Sequence, residues 1–66
     1  MSAEQVQFAA YFTARRDTVR RTAYLLCGDW HFADDLTQMA FVRVAAGWRR
    51  VRDWGALDAY VHTILI

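Results

Sequence analysis

The chain has 66 residues, one cysteine, no proline and a formal net charge of +1. That length holds one small domain with a thin core, the lone Cys27 excludes an internal disulfide, and no stretch approaches the roughly 20 apolar residues of a membrane-spanning helix. An unpaired cysteine without a signal-peptide pattern predicts a soluble protein in a reducing cytoplasm.

Hydrophobic residues make up 56% of the chain and aromatic residues 15%. For so small a domain this means either an aromatic core or apolar surface that belongs to a partner. Every basic residue is arginine, with Arg15, Arg16, Arg20 and Arg21 in one cluster and Arg49, Arg50 and Arg52 in a second. Two readings stand. Arginine binds phosphate and carboxylate bidentately and stacks on flat rings, or the bias reflects a genome that prefers arginine codons.

Taken in order, the first predicted helix runs from Gln5 to Leu26, with Phe8, Phe12, Val19, Ala23 and Leu26 at helical spacing. Gly28 follows where a left-handed cap is favoured, and Asp29 can cap the next helix. The second helix is predicted over Trp30 to Trp48, closed by Gly47 and the arginines after it. It carries two neighbouring apolar lines, Leu36–Ala40–Val44 and Phe41–Ala45–Trp48. Asp53 or Gly55 then opens a third helix, with Leu57, Tyr60, Val61, Ile64 and Leu65 in one stripe. Alternating patterns and hairpin turns are missing, so the expected fold is an all-α bundle of three helices. The terminal run "YVHTILI" lacks a cap signal, which predicts a cut through a helix and a longer parent protein.

Catalysis is not expected. His31, Asp34 and Asp35 have metal-like spacing and Cys27 lies four residues before His31, but Gly28 should separate them. The paired cysteines and histidines of a structural zinc site are missing. Acids in the first turns of a helix also meet the positive end of its dipole, which needs no metal. No cofactor is implied.

A binding surface fits the second helix better. Met39 and Val42 widen its apolar band, while Asp34, Asp35, Gln38 and Arg43 keep part of it polar. The plainer reading is a central core helix with a thin polar strip. The loop "GWRRVRDWG" (residues 47–55) sets three arginines between two tryptophans, a combination suited to single-stranded or melting DNA. Equally, Trp48 and Trp54 can be core plugs with solvated arginines between them. His62 lies on the polar side of the third helix and reads as a surface histidine.

Together, "RRTAYLLCGDWHFADDLTQMAFVRV" and "WRRVRDWGALDAYVHTILI" resemble region 2 of the extracytoplasmic-function (ECF) sigma factors, of the actinobacterial type. The likeness runs from about Phe8 to Ile66. It implies that the second helix docks on the clamp helices of the largest subunit of core RNA polymerase. Asp34, Asp35, Leu36 and Gln38 match the family motif, with Phe41 and Arg43 behind it and Met39 and Val42 on the same contact. The acids and amide would meet arginines on the polymerase, and Leu36 would pack on its coiled coil. Met39 stands where the family usually has glutamate, a change that lowers charge complementarity or lets sulfur fill an apolar pocket.

The resemblance further implies that Arg49, Arg50 and Arg52, with Trp48, Trp54 and His62, lie near promoter DNA. The third helix would correspond to the element that holds the −10 region open. The base-reading loop after it and the −35-binding region 4 are not in this sequence. Anti-sigma factors commonly cover the same surface in this family. Two rivals remain at this stage: a helical interaction or dimerisation domain without a DNA role, and a duplex-reading helix-turn-helix. The second is poorly equipped, since the third helix offers only Asp58 and His62 as polar readers.

Overall fold

A computed structural model describes residues 2–51 and 53–66. Three α-helices fill it: α1 (Ala3–Cys27), α2 (Trp30–Ala46) and α3 (Trp54–Leu65), with one 3₁₀ turn (Trp48–Arg50) between the last two. The all-α bundle expected from the pattern is what forms.

Each helix starts on a side chain that satisfies its free amides. Ser2 and Gln5 form a reciprocal capping box on α1. Asp29 accepts from the amides of His31 and Phe32, and Asp53 from that of Ala56. Gly28 ends α1 with φ at 73°, in the left-handed region where a side chain is strained. That residue is what lets α2 double back along α1.

Two boundaries differ from expectation. Capping by Ser2 starts α1 at Ala3 instead of Gln5, and α2 stops at Ala46, before Trp48. Gly47 breaks the α-helical ladder, and the chain tightens into the 3₁₀ turn, with Arg50 and Val51 donating to Gly47 and Trp48.

The core is a line of buried side chains from all three helices. Tyr11, Val19 and Ala23 come from α1, Ala33, Ala40, Phe41 and Val44 from α2, and Leu57, Val61 and Leu65 from α3. Alanines at the crossing let the backbones approach closely, and aromatic rings fill the wider end. Phe12 meets Phe41 edge-on at 4.9 Å, and Trp48 meets Phe8 at 5.5 Å. Thr37 is the buried polar residue, and its hydroxyl donates to the Ala33 carbonyl at 2.7 Å. Leu26 and Tyr60, both assigned to inward stripes by spacing, are exposed. The bundle is only three helices deep, so a stripe of that width is not covered along its length.

Candidate functional site

The outer side of α2 is an exposed helix face that carries several large apolar side chains. A turn of about 100° per residue puts Ala33, Thr37, Ala40 and Val44 inward. The opposite side then carries Phe32, Asp35, Met39, Val42, Arg43 and Ala46, and Leu36 lies at its edge, packed against the core. Phe32 is 56% exposed, Val42 68% and Met39 38%, while Leu36 is half-buried. Gln38 lies on the flank of this face and is exposed.

Two residues expected on the contact surface are elsewhere. Phe41 is only 4% exposed and packs against Tyr11 and Phe12 of α1. It belongs to the core, because its side of α2 faces the Tyr11 and Phe12 rings of α1. Asp34 is half-buried and forms an ion pair with Arg20 of α1. The same guanidinium lies 4.4 Å from the centre of the Trp30 ring, which stacks on Tyr24 at 3.9 Å and 10°. Asp34 therefore joins a cluster that closes the α1–α2 hairpin, leaving Asp35 as the acid that points into solvent.

The second candidate surface lies at the α2–α3 connection. Arg49 and Arg50 are exposed on the 3₁₀ turn, and Arg49 reaches Glu4 at the start of α1 at 3.5 Å. Arg50 lines a shallow groove with Arg43, Val51, Leu57 and Tyr60. Arg52, expected beside them, lies outside the described residues. Both tryptophans have packing partners. Trp48 is half-buried on Phe8 and Tyr11, and Trp54 meets Tyr11 edge-on at 5.3 Å with the Arg15 guanidinium 5.2 Å from its ring. His62 is exposed on α3, at the edge of a groove with Thr18 and Thr22 of α1.

One tie was missed by sequence reasoning. The Tyr11 hydroxyl donates to the Asp58 carboxylate at 2.8 Å, and the Arg15 guanidinium donates to the same oxygen at 3.0 Å. Burial, then the Asp58 carboxylate, pushes the phenol well above its ordinary value, so it stays a donor. This triad fixes α3 on α1. No group of three or more histidine, cysteine, aspartate or glutamate side chains suited to a metal occurs among the described residues, and no helix of the described chain is long and apolar enough to cross a membrane.

With this geometry in place, comparison with known proteins is decisive. The model of the sigma-70 region 2 family matches residues 11–66. The chain belongs to the sigma-70 region 2 family. Proteins similar to it include an RNA polymerase sigma-E factor of Streptomyces coelicolor, 33% identical over 63 residues, covering 96% of this chain and 36% of the relative. The RNA polymerase sigma-E factor of Streptomyces avermitilis is 35% identical over 63 residues, with 96% and 35% covered. This region 2 thus spans about a third of the length of the curated relatives it matches. No solved structure matches it.

Proposed function

We propose that this region 2 is the polymerase-docking and −10-facing domain of an ECF sigma factor, acting in the cytoplasm in transcription initiation without enzymatic chemistry of its own. The reading is supported by the family membership and by the two relatives named as RNA polymerase sigma factors. The single observation that carries it is the exposed outer face of α2, where Asp35, Met39 and Val42 stand together, with half-buried Leu36 at one edge and Gln38 at the other.

Docking uses that face. Asp35 and Gln38 meet cationic groups on the clamp helices of the largest polymerase subunit, and Leu36, Met39 and Val42 supply apolar contact. Asp34 contributes by holding Arg20 and the hairpin in place. Arg49 and Arg50 lie toward the −10 backbone, and Trp54 and His62 border that side. Trp48 supports the turn from within. A protein of this kind opens promoter DNA only by preferring the separated strand. An anti-sigma factor covering the outer face of α2 would keep the domain from polymerase.

The test is binding of the domain to isolated clamp helices, wild type against an Asp35→Arg, Gln38→Ala variant, with helicity matched by circular dichroism. Loss of binding by the folded variant supports the reading. Equal binding would remove Asp35 and Gln38 from the contact, and no binding by either protein favours a helical interaction or dimerisation domain without a DNA role.

A further inference from the structure

The chain holds seven acidic residues, and six of them have work inside it. Glu4 pairs with Arg49, Asp17 with Arg16, Asp34 with Arg20 and Asp58 with Arg15. Asp29 and Asp53 cap helices. Asp35 is the remaining acid, and it sits in a row with Met39 and Arg43, which likewise has no ion pair among the described residues. These positions are spaced i, i+4, i+8, so they form one ridge of α2, with an acid at one end, an apolar side chain at the centre and a cation at the other. Phe32 and Leu36 flank the ridge on one side, Val42 and Ala46 on the other.

Such a ridge is complementary to itself. If two copies of α2 run in opposite directions with their Met39 side chains facing each other, each Asp35 falls beside the other copy's Arg43. A two-fold axis makes both pairs at once, and the apolar flanks of the two copies cover each other.

We propose that the outer face of α2 binds a second copy of this chain, forming an antiparallel homodimer held by two Asp35–Arg43 pairs. One helix face is smaller than the roughly 800 Å² per partner of a standard stable interface, so the dimer is weak and concentration-dependent. It hides the face that the proposed function assigns to polymerase. The inference itself rests on the ridge alone and stands or falls independently of that assignment.

Sedimentation of the 7.7 kDa chain from micromolar to millimolar concentration tests it. Wild type is expected to rise from monomer mass toward twice that value. Asp35→Arg and Arg43→Asp should each weaken association by about tenfold or more, since like charges then meet at both pairs. Mixing the two variants restores both attractive pairs, so the mixture should associate where neither variant does. Recovery also shows that both variants remain folded. A wild type that stays monomeric to millimolar concentration would overturn the proposal. So would variants that associate like wild type, or a mixture no better than its components.

Discussion

The phenol of Tyr11 on α1 and the carboxylate of Asp58 on α3 are joined by a 2.8 Å hydrogen bond across 47 residues of sequence. The Tyr11 side chain is fully buried while Asp58 is exposed. The bond therefore reaches from the core to the rim, where Arg15 closes it. Removing either end has different consequences. Tyr11→Phe deletes the donor and leaves Asp58 with Arg15, so a loss of about 1 kcal/mol is expected in urea unfolding. Asp58→Ala leaves a buried hydroxyl without its acceptor and should cost about 1–3 kcal/mol.

The same pair sets an alkaline limit. In the unfolded chain Tyr11 titrates near its ordinary value of 10.0, and in the fold well above it. Above pH 10 the unfolded chain thus binds fewer protons than the native one, and stability falls as pH rises. The slope from this group approaches about 1.4 kcal/mol per pH unit until the folded phenol itself ionises. Unfolding free energies of wild type and Tyr11→Phe, compared from pH 8 to 11.5, should converge above pH 10 and then cross, leaving the variant the more stable at the alkaline end.

Neighbouring acids on α2 should behave differently. Asp34→Asn removes a half-buried ion pair with Arg20 and should cost about 1 kcal/mol of stability, with clamp-helix binding near that of wild type. Asp35→Arg should leave stability nearly unchanged and abolish binding. Urea unfolding and a binding titration on the two variants separate these roles. Equal binding losses for both would return Asp34 to the contact surface.

Phe41 is a stability residue. It is buried against Tyr11 and Phe12, so Phe41→Ala should cost about 3–5 kcal/mol. A domain this small has roughly that much stability in total. Circular dichroism should show the variant largely unfolded at room temperature. Loss of polymerase binding by this variant would then reflect the lost fold.

Gly28 is tested by Gly28→Ala. Its Cβ would meet no atom within 4 Å, so the penalty is conformational, about 1–2 kcal/mol for a side chain held at positive φ. A thermal melt should shift downward with an unchanged helical spectrum.

Local signals were readable and distant pairings were not. Gly28, Asp29 and Asp53 act on atoms within four residues, so the caps and the reversal between α1 and α2 follow from the chain itself. The helices follow from a 3.6-residue period. The end of α2 was placed too late because Trp48 continues the apolar line, although Gly47 had already broken the ladder. Leu26 and Tyr60 match an inward stripe, but spacing does not say how wide the covering neighbour is. Phe41 and Met39 both lie in apolar lines of α2, and only the position of α1 decides which is core and which is surface. Arg20 with Asp34, and Tyr11 with Asp58, meet across 14 and 47 residues, a distance no local pattern encodes.

The Tyr24–Trp30 stack has a kinetic consequence. It lies across the Gly28 turn, with Arg20 and Asp34 one helical turn further along, so the α1–α2 hairpin is clasped by contacts close in sequence. Loops that short close at little entropic cost, and a hairpin of this kind assembles early. By contrast, α3 joins through Leu57, Val61, Leu65 and the distant Tyr11–Asp58 bond. It is therefore expected to dock last and to detach first. Its amides should exchange with solvent faster than those at the centre of α1 and α2. The helix assigned to promoter DNA is thus the bundle's most separable layer, and any ligand that prefers one placement of α3 shifts it at a lower free-energy cost than moving the hairpin would require.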